Sequence, residues 1–189
     1  MRHGLAAAAL AIFATLPAAA QSVQERLPTC LACHGEKGQS PTQDVPSLGA
    51  QPKDYLLVQL FIFREGMRKV EIMNAMTKGL SDDDLRTMSE TLAKLPAPAP
   101  VAGDIDAARV ERAKALVGKN RCNFCHAPTF AGQDQVPRLA DQREDYLLKS
   151  LREYKAGTRA GYDPAMASVV QPMKDEDFVD LAYYLSRVN

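Results

Sequence analysis

The pentapeptide Cys-x-x-Cys-His occurs twice, as Cys30-Leu31-Ala32-Cys33-His34 and as Cys122-Asn123-Phe124-Cys125-His126. It is the attachment signature of c-type haem: the two thiols become thioethers and the adjacent imidazole becomes the proximal iron ligand. On a helix the two cysteines lie at i and i+3, and the first cysteine and the histidine at i and i+4, so three side chains meet the edge of one flat group. A redox dithiol, half of a zinc site or a disulfide would also use Cys-x-x-Cys, and a four-cysteine zinc site is the strongest alternative. None of these needs the histidine. The two motifs use up all four cysteines, and apart from His3 the chain has no histidines other than His34 and His126. The expectation is two covalently bound haem c groups.

The motifs belong to a longer internal repeat. Pro46-Ser47-Leu48-Gly49-Ala50-Gln51-Pro52-Lys53-Asp54-Tyr55-Leu56-Leu57 returns as Pro137-Arg138-Leu139-Ala140-Asp141-Gln142-Arg143-Glu144-Asp145-Tyr146-Leu147-Leu148, displaced by 91 positions, while the haem motifs are displaced by 92. A one-residue difference in one loop reconciles the two, and self-similarity of this length predicts two equivalent domains. Between them, residues 96–103 read Pro-Ala-Pro-Ala-Pro-Val-Ala-Gly, which forms neither helix nor central strand and is expected to be a short extended tether. The predicted organisation is a leader at 1–20, one domain at 21–95, a linker at 96–103 and a second domain at 104–189.

Residues 1–20 carry Arg2, an apolar run from Leu5 to Leu16, and Ala18-Ala19-Ala20 before Gln21. That order fits a cleaved secretory signal peptide, and the run is shorter than the roughly 20 residues of a membrane span. Export to the periplasm is the expectation. The 23 basic and 23 acidic residues balance, with no basic run to meet nucleic acid. Membrane association beyond a peripheral one is not expected.

The periodicity predicts helices almost throughout. Lys53 to Glu65 and Arg143 to Ala156 are matched helices stopped by Gly66 and Gly157. Ser81 with Asp82, Asp83 and Asp84 caps a helix whose Leu85, Met88 and Leu92 share a face, and Lys174 to Val188 is its counterpart. Asp104 to Lys119 opens the second domain, whereas Gln21 to Leu27, ended by Pro28, opens the first. The fold class is all-α. Domains of about 80 residues make marginal cores alone, so the haem is expected to complete them and the apoprotein to fold poorly.

With both histidines committed, methionine is the remaining candidate for a sixth iron ligand. Pairing Leu80 with Met173 also pairs Met73 with Met166, the one place with methionine in both halves. Met73 and Met166 are the expected axial ligands, with Met76 the alternative in the first half; any methionine taken alone is as readily a core filler. A thioether favours ferrous iron relative to a second imidazole. Pro46 and Pro137 follow their histidines by 12 and 11 residues and could accept the imidazole Nδ1–H, or be plain turn prolines. Arg68 and Arg159 are matched as well, and are either partners for propionates or solvated surface residues.

Twin Cys-x-x-Cys-His domains, the Pro-x-Leu and Tyr-Leu-Leu blocks, Arg68-Lys69-Val70 before Met73, and Leu80-Ser81-Asp82 together resemble dihaem cytochromes of the cytochrome c4 type. The resemblance covers essentially all of the chain after the leader. It implies two tandem class I cytochrome c domains related by approximate twofold symmetry, with His/Met haems held by Cys30, Cys33, His34 and Met73 and by Cys122, Cys125, His126 and Met166. It implies imidazole-orienting roles for Pro46 and Pro137. The implied function is periplasmic electron transfer between a respiratory complex or dehydrogenase and an oxidase or reductase, not catalysis. The other readings are an electron-transfer subunit of a periplasmic dehydrogenase and a dihaem peroxidase-like enzyme, which would need an open iron position. Met173 stands where the family's leucine stands in the first half, at Leu80.

Overall fold

A computed structural model describes residues 22–159 and 164–188. The predicted leader therefore lies outside the described residues. The first half consists of α1 (Val23–His34), α2 (Lys53–Arg64), α3 (Glu71–Thr77) and α4 (Asp82–Ala93). The second consists of α5 (Ala107–Asn120), α6 (Cys122–Cys125), α7 (Glu144–Lys155), α8 (Pro164–Val170) and α9 (Asp175–Leu185). Among the described residues there is no strand, only an isolated antiparallel bridge between Gln133 and Val136. No described helix is long and apolar enough to cross a membrane.

The halves repeat one packing scheme. The amino-terminal helix crosses the last helix, α1 on α4 and α5 on α9, and the middle long helix lies against both its short neighbour and the last helix. Each half buries its own cluster: Val23, Leu56, Met88 and Leu92 in the first, and twelve residues including Phe130, Leu147, Met173, Phe178 and Leu181 in the second. Gly66 and Gly157 stop α2 and α7 with φ of 67° and 68°, the left-handed conformation that glycine adopts without cost. Ser81 caps α4 reciprocally with Asp84: its hydroxyl accepts from the Asp84 N–H, and the carboxylate accepts from the Ser81 N–H.

One expectation needs correction. Pro28 does not end the first helix, which runs to His34. Ser22 and Glu25 form a capping box at its start, and Gln24, whose carbonyl loses its partner to the proline, lies on the exposed face, open to solvent. In the second half the motif does not continue α5. That helix stops at Arg121, which is left-handed at φ 54° and ψ 36°, and the cysteines occupy a separate turn, α6.

The tether is stitched to both halves. The Ala50 N–H donates to Leu95 O at 2.9 Å just before it, Gln39 pairs with both backbone groups of Ala99 at 3.3 Å, and the Val101 N–H donates to Ser186 O at 2.9 Å. The halves also touch directly. Asp44 N–H donates to the Asp145 carboxylate, Arg143 to Ser40 O, and Tyr55 N–H to Asp134 O.

Candidate functional site

In the first half, Cys30, Cys33 and His34 occupy the last turn of α1. In the second, the turn α6 alone provides the spacing of Cys122 and Cys125, and His126 follows it. No disulfide joins the four cysteines, and as thiols Cys30 and Cys122 are pushed above their ordinary pKa range by burial. That is opposite to the depressed value that activates a redox dithiol. Among the described residues, no three His, Cys, Asp or Glu side chains gather as a metal site.

Both histidines are buried, His34 to 6% and His126 to 8% exposure. His34 Nδ1 donates to Pro46 O at 2.8 Å, and His126 Nδ1 donates to Pro137 O at 2.9 Å. Burial lowers both imidazole pKa values, with the carbonyl contact opposing, which favours the neutral ring. A neutral ring with its Nδ1–H committed presents a lone pair at Nε2, the state an iron ligand requires. Two thiols one turn apart beside such an imidazole form a donor set that fits covalent haem attachment.

The loop between histidine and proline has the same design twice. Gly38 N–H donates to Gly35 O, and Gly38 O accepts from Leu48 and Gly49; Phe130 N–H donates to Ala127 O, and Phe130 O accepts from Leu139 and Ala140. The carbonyl that receives each imidazole is thus placed by a matched set of backbone bonds.

The methionines sort by burial. Met88 and Met173 are core residues and Met67 is exposed, while Met73 and Met76 on α3 and Met166 on α8 are half-buried. Met166 packs against the second core. Asn74 secures α3: its amide donates to Phe63 O and Arg68 O, and its oxygen accepts from the Val70 N–H. Repeat pairing puts Ala167 at that position in the second half, so Asn74 escaped a reading based on matched residues.

Arg68 and Arg159 are not solvated surface residues. Both are buried, Arg68 over the Phe63 ring and Arg159 over Tyr146 and Tyr154, and both donate to the Tyr146 hydroxyl, at 3.4 and 3.2 Å. Burial alone would raise the Tyr146 pKa, but the charges and hydrogen bonds of Arg159 and Arg68 outweigh it and bring the phenol down. This cationic cluster lies where the halves meet.

The chain's similarities point the same way as the geometry. The family model for cytochrome c matches residues 110–189. The chain is 30% identical to cytochrome c4 of Stutzerimonas stutzeri over 88% of this chain and 87% of that protein. The chain belongs to the cytochrome c4 family. It is also 33% identical to the thiosulfate dehydrogenase electron acceptor of Thiomonas intermedia, over 98% of this chain and 91% of that one. Reduced recombinant cytochrome c4 from Pseudomonas stutzeri superposes with a TM-score of 0.80 at 29% identity, covering 88% of this chain and 97% of that chain. The fold is therefore a pair of tandem cytochrome c domains. As a cytochrome c4-like electron carrier, the protein carries two covalently bound haem c groups.

Proposed function

We propose that this chain is a periplasmic dihaem carrier in which Cys30, Cys33, His34 and Met73 hold one haem and Cys122, Cys125, His126 and Met166 hold the other. The reading takes 1–20 as a cleaved leader, 21–95 and 104–189 as the domains and 96–103 as their tether. The observation that carries it is the imidazole hydrogen bond made twice, His34 to Pro46 O and His126 to Pro137 O, by residues at matched repeat positions.

Haem iron supplies one-electron oxidation and reduction. The chain's own residues set the conditions for it. The Pro46 and Pro137 carbonyls hold each ring in one orientation and raise the basicity of its free nitrogen. The Met73 and Met166 thioethers, soft and neutral, favour the reduced metal. With His34 and Met73 holding one haem and His126 and Met166 the other, each iron would take both its remaining ligands from the protein, and the chemistry it would supply is electron exchange with redox proteins rather than peroxidase turnover. The donor is a respiratory complex or dehydrogenase, and the acceptor an oxidase or reductase. The 33% identical thiosulfate dehydrogenase electron acceptor favours a second reading, a dedicated acceptor for one periplasmic dehydrogenase.

The test is a potentiometric titration of the periplasmically matured protein, followed by visible spectra with and without carbon monoxide. Two relatively high-potential haems indifferent to carbon monoxide are expected; one that binds it would overturn the carrier reading. Met73→Ala and Met166→Ala should each remove half of the iron-to-sulfur charge-transfer band, and Met76→Ala neither half. Rapid reduction by one dehydrogenase and by no other donor would select the second reading.

A further inference from the structure

The peptide that receives each imidazole is gripped from the opposite half. Pro46 C=O and Ser47 N–H belong to one peptide unit: its oxygen accepts from His34 Nδ1 at 2.8 Å, and its N–H donates to Gln142 Oε1 at 2.7 Å. Gln142 Nε2 donates to Ser47 O at 2.9 Å, so only this orientation of the amide satisfies both backbone groups. The second half mirrors it. Pro137 O accepts from His126 Nδ1 at 2.9 Å, and the Arg138 N–H of that same peptide donates to Gln51 Oε1 at 3.0 Å, while Gln51 Nε2 donates to Arg138 O at 3.0 Å. Both glutamines are buried, and they occupy matched positions of the repeat.

We propose that Gln51 and Gln142 are crossed positioning residues: each half's glutamine orients and polarises the carbonyl that sets the imidazole of the other half. Two physical facts support it. The peptide unit is planar and rigid, so fixing its N–H fixes its C=O. A peptide whose N–H donates is a stronger acceptor at its oxygen, because hydrogen bonds in a chain polarise one another. The chain from His34 Nδ1–H through the Pro46–Ser47 peptide to Gln142 therefore strengthens the imidazole bond in the first half by means of a residue in the second. Docking of the halves thereby becomes part of the ligand environment of both.

The proposal rests on His34 and His126 being the iron ligands, and that is checked separately: His34→Gly should abolish one low-spin haem spectrum and leave the other. The discriminating experiment uses the matured dihaem protein with Gln142→Leu and Gln51→Leu. Readouts are the potential of each haem and the Nδ1–H resonances of the reduced protein. Weakening an imidazole's Nδ1–H bond makes it a poorer donor to iron and raises the potential. Gln142→Leu should move the His34 resonance and raise the potential of the haem held by His34, leaving the other; Gln51→Leu should do the reverse. Shifts confined to the substituted half, equal shifts in both, or none would overturn the proposal. In the unsubstituted protein the Ser47 and Arg138 amides should exchange slowly with solvent, and exchange at open-loop rates would overturn it even if a variant failed to mature.

Discussion

Cys33 and His34 close a twelve-residue helix interrupted by nothing but the missing N–H of Pro28, whereas Cys122 to Cys125 form a single turn set off from α5 by the left-handed Arg121. The imidazoles nonetheless arrive at matched depths and matched carbonyls, 2.8 and 2.9 Å away. The helix leading into the motif is thus interchangeable. What both halves keep is one turn between the thiols and a loop that returns a proline carbonyl to Nδ1. The halves differ also in what surrounds the site: eight hydrophobic residues are buried in the first half and thirteen in the second, among the described residues.

That difference makes the largest prediction. Replacing Cys30 and Cys33 with alanine, so that the first haem is not attached, should unfold most of the first half, because its own core is small. Replacing Cys122 and Cys125 should cost the second half less of its helix. Far-UV circular dichroism and thermal melts of the two single-haem proteins decide it; equal losses, or the reverse order, would break the comparison.

The post-histidine loops should respond unequally as well. Gly35 has φ 85° and ψ 140°, and a Cβ added there would sit 2.0 Å from Gln39 O. Gly35→Ala should therefore cost about 2 kcal/mol or more, since the left-handed penalty adds to a backbone clash. Urea unfolding with haem content monitored measures it. A loss under about 0.5 kcal/mol would mean that the loop relocates freely.

Much of this was legible in the sequence because it is local or repeated. The thiol-imidazole spacing, the matched Tyr55-Leu56-Leu57 and Tyr146-Leu147-Leu148 helices, the Gly66 and Gly157 stops and the Ser81 cap are all one-dimensional signals. The proline carbonyls were visible only as one of two options, since spacing alone cannot aim an oxygen. What escaped depends on contacts between the halves. Gln51 and Gln142 stood in the quoted repeat as a matched polar pair, yet nothing in spacing reveals that each reaches across to the other copy. Arg68 and Arg159 look like surface residues until Tyr146 is placed between them. Pro28 does not stop the helix because its missing N–H and the displaced Gln24 carbonyl both fall on the exposed face of a capped helix.

Acid should strike the second half first. Arg112 donates to Asp180 at 2.6 and 3.1 Å and Arg109 at 3.2 Å, joining α5 to α9; the aligned position in the first half is Thr87, which has no charge. The Arg112 hydrogen bonds, helped by Arg109 and opposed by burial, hold the Asp180 carboxyl below its ordinary range. A depressed folded value means that this stabilisation is present above the unfolded pKa of about 3.9 and is lost as pH falls through the lower folded value. Asp180→Asn should cost on the order of 1–2 kcal/mol near neutral pH and flatten the acid limb of the second half's melting temperature. An unchanged acid limb would locate the sensitivity elsewhere.

The smallest effect sharpens the same comparison. Ala127 occupies the position of Gly35 and Phe130 that of Gly38, with φ of 66° and 56°, so the second half makes with ordinary side chains the turns that the first makes with glycine. Its loop from histidine to proline is one residue shorter, and the Gln39 carbonyl contact that forbids a Cβ at Gly35 belongs to the longer loop. Ala127→Gly should relieve about 1–2 kcal/mol of left-handed strain and return about 0.5–1 kcal/mol as flexibility in the unfolded chain. The net gain is about 0.5–1 kcal/mol, measurable by urea unfolding of the holoprotein. A loss instead would mean that the Ala127 methyl packs usefully, and that the two loops differ in their contacts as well as their length.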